Sequence, residues 1–198
     1  MAGMDILLDT ASDAEVVART LVDTSVFALV VARYEAKLTR YIRRLGVQNP
    51  DDQQDVLQDI FIKVYKNLNA FDTGLSFSSW IYRIAHNEAI SFYRKKRVRP
   101  EGNLILDSEE ILQYQPHFAD SAETLFDASL GAEVVNCALQ TLESKYRDPI
   151  ILRYFEYKEY NEISDILKIP IGSVGTLIHR GKKRLQELIP ATVHPDLT

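Results

Sequence analysis

Asn161 to Ile189 reads NEISDILKIPIGSVGTLIHRGKKRLQELI, and its apolar spacing decides the fold class. Ile163, Ile166 and Leu167 recur at the steps of a short helix that begins at Tyr160 or Asn161. Lys168 to Gly172, with Pro170 inside it, interrupts that helix as a turn. A longer helix then runs from about Ser173 to Ile189. A short helix, a tight turn and a longer basic helix make a helix-turn-helix. On the second helix, Val174, Leu177, Ile178, Leu185 and Leu188 are expected to face a core. Thr176, His179, Arg180 and Lys183 fall on the opposite side, where such a helix meets the major groove and reaches base edges and phosphates. Gly181 costs about 1 kcal/mol of helix propensity relative to alanine, and it marks either close helix packing or a plain local weakness.

Working upstream, the pattern stays helical. Val134, Val135, Ala138, Leu139 and Leu142 share one helix face, and Ile150, Ile151, Tyr154 and Phe155 another. Pro149 fits the second of these only in a first turn, where its missing N–H has no partner to lose. Nearer the N-terminus, Val26, Leu29, Val30, Tyr34, Leu38 and Ile42 form a stripe that Gly46 ends. Asn49-Pro50-Asp51-Asp52 starts a helix carrying Val56, Leu57, Ile60, Phe61, Val64 and Leu68. Phe71 to Ser76 is a loop, after which Ser78-Ser79 is expected to cap a helix holding Trp80, Ile81, Ile84, Ala85, Ala89 and Ile90. The expected fold is all-α: two small helical domains joined by a linker. The divisions are an N-terminal extension (1–24), a helical bundle (25–99), an acidic linker (100–129), the helix-turn-helix module (130–190) and a tail (191–198).

The net charge of −5 does not suggest a nucleic-acid binder, but its distribution does. Arg83 to Arg99 holds six basic residues against the single acid Glu88, and Gly172 to Gln186 holds four against none. Between them, Val98 to Leu130 carries seven acids against Arg99 alone. A lone cysteine, Cys137, allows no internal disulfide and points to a reducing compartment. No apolar run approaches the roughly 18 residues of a membrane span, and the acidic N-terminus lacks a signal peptide's basic start. A cytoplasmic protein without membrane insertion is expected.

The segment LRYFEYKEYNEISDILKIPIGSVGTLIHRGKKRL, Leu152 to Leu185, resembles region 4 of sigma-70 family proteins, which reads the −35 promoter element. The resemblance implies −35 contacts at Arg153, Thr176, His179 and Arg180, with Lys183 on the same basic helix. It departs from the family pattern at Ser164, Ser173, Gly175 and Leu177; basic residues are frequent at the last two positions. FALVVARYEAKLTRYIRRL, DDQQDVLQDIFIKVYKNLNAF and FSSWIYRIAHNEAISFYRKKR resemble region 2 of the same family in order and spacing. By that resemblance Asp55, Gln58, Asp59 and Phe61 grip the clamp helices of core RNA polymerase. Lys63, the loop beginning at Phe71, Arg83 and Asn87 take the −10 element and a flipped base. Unstacking that base costs a few kcal/mol, which its capture must offset. Arg94, Lys95, Lys96 and Arg97 would hold duplex phosphates without reading sequence. The whole resembles the extracytoplasmic-function (ECF) subfamily, whose members bind core polymerase through its clamp helices and flap, bind promoter DNA, and are held by anti-sigma factors.

Two rival readings are weaker. Asp51-Asp52-Gln53-Gln54-Asp55 matches the D-D-x-x-D of Mg²⁺-diphosphate enzymes, but no second acidic cluster accompanies it, and 198 residues are too few for that fold. A ligand-sensing helix-turn-helix regulator would have no need of the DDQQDVLQD and FSSWIYRIAHNEA segments. His86, His117, His179 and His194 show no metal-ligand spacing with Cys137. No nucleophile–base arrangement stands out, so neither catalysis, metal nor cofactor is expected.

Overall fold

Gly46 and Asn49-Pro50 set the first corner of the fold. The computed structural model of the chain describes residues 11–72, 74–97 and 128–189, with the side chains of Arg97 and of residues 128–133 left aside. The linker acids and the tail lie outside the described residues. Among those described, the elements are helical, and none of the helices is long and apolar enough to cross a membrane.

Helix α1 (Asp13–Val22) opens on a capping box in which Ser12 and Glu15 satisfy each other's amides. It buries Val16, Val17 and Thr20, and Asp13 holds Arg33 of the next helix at 3.0 Å. The stretch read as an extension thus contributes a helix to the bundle. Helix α2 (Phe27–Leu45) buries Val30, Tyr34, Leu38, Tyr41, Ile42 and Leu45. It stops at Gly46, whose φ of 120° a side-chain-bearing residue rarely adopts. Helix α3 (Pro50–Asn67) starts where Asn49 Oδ1 accepts the amides of Asp51 (2.8 Å) and Asp52 (3.2 Å). Pro50 occupies the first helical position, which has no amide partner to lose.

Helix α4 (Phe77–Arg97) differs from expectation at its start. The hydroxyl of Ser76 accepts the Ser79 amide at 3.2 Å, so Ser76 caps the helix, and Ser78 and Ser79 lie inside it. Their hydroxyls are thereby released for other contacts.

The second module comprises α5 (Ala128–Thr141), α6 (Ser144–Ile150), α7 (Tyr160–Leu167) and α8 (Ile171–Leu188). Pro149 lies near the end of α6, not in its first turn. Proline there lacks a donor and crowds the carbonyl one turn back, and the chain continues directly into a wider π-helical turn, Ile151–Phe155. Lys168 leaves α7 in the left-handed conformation (φ 56°) and forms the tight turn. On α8 the buried positions are Val174, Ile178 and Gly181; Leu177 and Leu185 are half-buried, and Leu188 is exposed. The buried face is narrower than the sequence pattern, and at Gly181 the helices approach closely. A Cβ there would come within 2.7 Å of Ile150 Cδ1 and 3.1 Å of the Tyr146 carbonyl oxygen.

The two modules share one apolar cluster. Ile151, Leu152, Ile163, Ile166, Val174 and Ile178 join the core that α1 to α4 build around Leu38, Ile60 and Ile81. Helix α4 is where they meet, packed on α3 on one side and on α7 on another.

Candidate nucleic-acid interface

The first surface is a cleft of about 420 Å³ between α3 and α4, lined by Lys63, Asn67, Ala70, Trp80, Ile84, Asn87, Glu88 and Ser91. Arg83 and Asn87, one turn apart on α4, are half-buried and exposed respectively. Lys63 reaches across the cleft from α3, and its ammonium is paired with the buried carboxylate of Glu88. The cleft therefore combines an apolar wall, amide and hydroxyl groups, and a cation already partnered from below.

Phe71 occupies a different position. Its ring is buried against Phe77 (5.3 Å between centroids) and Trp80 (5.1 Å), so it floors the loop instead of facing solvent. Trp80, expected in the core, packs there and also lines the cleft. At the loop, Asp72 Oδ1 accepts the Gly74 amide, and Leu75 projects as an exposed apolar side chain. Farther along α4, Arg94, Lys95 and Lys96 are exposed. Lys96 is held by Asp52 at 2.7 Å and lies over the Phe92 ring.

The second surface is the outward side of α3. Asp55, Gln58 and Asp59 are exposed along one face. Phe61 turns inward, half-buried and edge-on to Phe27 at 6.4 Å. The apolar side chains that continue the acidic face are Ile62 and Tyr65, both more than 40% exposed. The apolar stripe of the sequence points to Phe61 instead of these two. Their spacing from Asp55 and Gln58, by seven residues each, was the available signal.

The third surface is α8. Thr176, His179, Arg180 and Lys183 are exposed together, opposite the buried Val174, Ile178 and Gly181. Gly175 leaves a space beside Tyr160, whose ring would touch a Cβ there at 3.4 Å. Arg153 sits at the rim, bonded to Glu159 (3.0 Å) and to the Lys158 carbonyl (3.0 Å), with its guanidinium over Tyr160. Hydrogen bonding to Glu159 raises its pKa further, so this cation is permanent but already engaged. Among the described residues, no group of three His, Cys, Asp or Glu comes close enough to hold a metal ion.

Known families match in this same order. The sigma-70 region 2 family model matches residues 30–99, and the sigma-70 region 4 model residues 132–185. The chain is 35% identical over 171 residues to the ECF RNA polymerase sigma factor SigW of Bacillus subtilis, covering 83% of this chain and 89% of that protein. The chain belongs to the sigma-70 family. Within it, the relatives place this sigma factor in the ECF group. Its fold resembles that of CnrH, solved in complex with the cytosolic domain of CnrY, at a TM-score of 0.68 and 23% identity over 91% of this chain and 99% of that one. It also resembles the sigma factor RpoE solved with the anti-sigma factor NepR from Bartonella quintana, at 0.61 and 23% identity over 82% and 95%. In this sigma factor, region 2 thus carries the cleft and the α3 face, and region 4 carries α8.

Proposed function

We propose that the three surfaces divide the work of transcription initiation. The exposed α3 face, Asp55, Gln58 and Asp59 with Ile62 and Tyr65 beyond them, docks on the clamp helices of core RNA polymerase. Carboxylates there suit basic groups on a partner helix, and the two apolar side chains are of the kind that carry binding energy once desolvated. The α3–α4 cleft takes the −10 strand, with Arg83 and Asn87 on the base and adjacent backbone. Lys63 joins them on exchanging Glu88 for phosphate, and Arg94, Lys95, Lys96 and Arg97 hold the duplex. Phe71 supports this site by fixing the loop. Helix α8 enters the major groove at −35 with Thr176, His179, Arg180 and Lys183, while Arg153 steadies the rim.

The observation that carries this reading is the cleft. It brings Lys63 from one helix and Asn87 from another into one solvent-accessible site beside apolar walls. An initiation factor of this kind works by binding and strand capture, not by catalysis, and acts with polymerase in the cytoplasm. The flap of the polymerase is assigned to region 4, and an anti-sigma factor is a partner on the same reading.

Pull-down with core polymerase tests the first surface: Asp55→Ala with Gln58→Ala should abolish retention that the wild type shows. A wild type that fails to bind core would sink the assignment. For the cleft, Asn87→Ala should impair open-complex formation, read by permanganate reactivity, far more than −35 duplex binding. Equal loss of both would remove the base-capture role.

A further inference from the structure

The loop that joins α3 to α4 closes one end of the cleft. Ala70, just before it, and Trp80, on whose ring Phe71 packs at 5.1 Å, both line the cleft. The end of the loop nearer α4 is held by its own backbone. Asp72 Oδ1 accepts the Gly74 amide at 2.9 Å, and the Asp72 carbonyl accepts the Leu75 amide at 3.0 Å. Ser76 follows as the cap of α4, its hydroxyl taking the Ser79 amide and its carbonyl the Trp80 amide at 3.1 Å. Beneath them the rings of Phe71, Phe77 and Trp80 form a floor, with centroids 5.1 to 5.6 Å apart. Leu75 stands off this floor. It is 57% exposed, whereas Phe71 and Phe77 on either side of it are buried.

A leucine left in water contributes little to the fold, yet the backbone that carries this one is pinned. Its position gives it a use. Base capture takes one base out of the stack and leaves two apolar faces open to water. Such a gap is unfavourable, and the duplex tends to reclose. Proteins that kink DNA meet the same cost by inserting an apolar side chain, leucine among them, between base steps. A side chain for this task must be apolar, exposed, beside the pocket that receives the base, and mounted on backbone that does not give way. Leu75 meets all four conditions. Phe71 and Phe77 are buried, and Ile62 and Tyr65 belong to the polymerase face of α3.

We propose that Leu75 is a wedge for promoter opening: it enters the −10 duplex at the step from which the cleft takes its base and holds that step apart. The inference rests on the reading of the cleft as the −10 site and goes beyond it. Arg83 and Asn87 act on a base already out of the stack, whereas Leu75 acts on the duplex that the base leaves. The two roles therefore separate by the state of the DNA. Capture serves any template, but a wedge serves only one whose strands are still paired. The apolar body of the side chain is what fills the gap, so methionine can replace it. Alanine is too short, and asparagine, of similar shape, is too polar.

The test uses holoenzyme made with the full chain and two forms of one promoter, a fully paired duplex and the same sequence mismatched across −10. Opening of the duplex is followed by permanganate reactivity, and binding of the mismatched form by competitor-resistant complexes. Leu75→Ala and Leu75→Asn should slow opening of the duplex about tenfold, the effect of losing part of what offsets unstacking. Leu75→Met should stay close to wild type. All three should bind the mismatched promoter as wild type does, which a misfolded variant would not. Leu75→Ala opening the duplex at the wild-type rate overturns the wedge. An equal loss on both templates overturns it too, because Leu75 would then serve the captured strand or the fold. Asn87→Ala, run alongside, should weaken both templates; loss on neither removes the capture reading, so the two ideas fail on different variants.

Discussion

Contacts within each module are mainly apolar, whereas the contact between the modules sets polar bridges beside an apolar cluster that both modules share. Inside region 4, α8 rests on α6 through a seat with no room for one further carbon, at Gly181. Inside region 2, Leu38, Ile42, Ile60 and Ile81 are fully buried. Between the modules, at a seam along α4, Ile151, Leu152, Ile163 and Ile166 join the region 2 core, and beside them Arg44 and Tyr82 meet Glu156, Ser78 meets Lys158 and Ser79 meets Glu162. Parting an apolar seat exposes its area to water at about 25 cal/mol per Å². Parting an ion pair returns its charges to water, which offsets most of what is lost. The contact between the modules contains both kinds, because its polar bridges stand beside the shared apolar cluster.

The sharpest way to break this contrast is to spoil a seat. Gly181→Val forces carbon atoms into Ile150 and into the Tyr146 carbonyl, which is backbone and cannot swing away. Overpacking of this kind costs about 1–3 kcal/mol, more than the roughly 1 kcal/mol that replacing a helical glycine can return. Denaturant unfolding should show region 4 melting earlier, with −35 duplex binding lost and core binding kept. A variant within about 0.5 kcal/mol of wild type would mean that the seat has slack the geometry does not show.

Much of this was legible from sequence, for definable reasons. Gly46, Asn49-Pro50 and the helix-turn-helix act locally, through one residue's dihedral or cap, and they stand where the pattern put them. Of the two readings open for Gly181, close packing and a local weakness, the seat against Ile150 and Tyr146 decides for packing. The errors came where a local signal had a competitor. Ser78-Ser79 looked like a cap, yet Ser76 reaches the Ser79 amide first. Pro149 suits a helix only in its first turn by local rules, yet the helix absorbs it and widens into a π turn. Phe61 fitted the stripe that Ile62 and Tyr65 present to solvent. The seam was not legible, because it pairs residues such as Arg44 and Glu156, more than a hundred positions apart, and no periodicity connects them.

A second test places an ion pair of the seam's kind inside a module. Glu88 holds Lys63 at the floor of the cleft, with the carboxylate buried and the ammonium half-exposed. Glu88→Gln keeps the shape and removes the charge, leaving Lys63 available to phosphate. Each phosphate neutralised steepens the dependence of log K on log salt by about 0.7 for single strands. Binding of −10 non-template strand by holoenzyme should therefore gain about one ion in its salt slope, with tighter binding at low salt. An unchanged slope would show that Lys63 already leaves Glu88 for DNA in the wild type.

The smallest effect expected is a dependence of the seam on pH. His86 is buried between Tyr41 of α2, whose hydroxyl lies 3.2 Å from Nδ1, and Asp148 of α6 at 3.8 Å, beside Arg147. Burial pushes its pKa below the ordinary histidine value, and Arg147 adds to this, while Asp148 works against both. The other charge near this cluster is Glu156, which acts on Tyr41. With His86 opened to water, its pKa returns to about 6.5, so the open state binds the proton more readily than the closed one. The contribution of neutral His86 to closure is complete above about pH 6.5 and is lost as pH falls through the depressed value. Energy transfer between a fluorophore on each module of the free chain should consequently fall between pH 7.5 and 5.5. In His86→Gln that decline should vanish, whereas Glu162 should respond only in stronger acid: burial raises its pKa, but the Glu159 amide, Lys158 and Ser79 together outweigh it and hold the carboxyl below its usual range. A wild type flat across that interval would place His86 outside the energetics of the seam and leave Arg44–Glu156 as the pair on which closure turns.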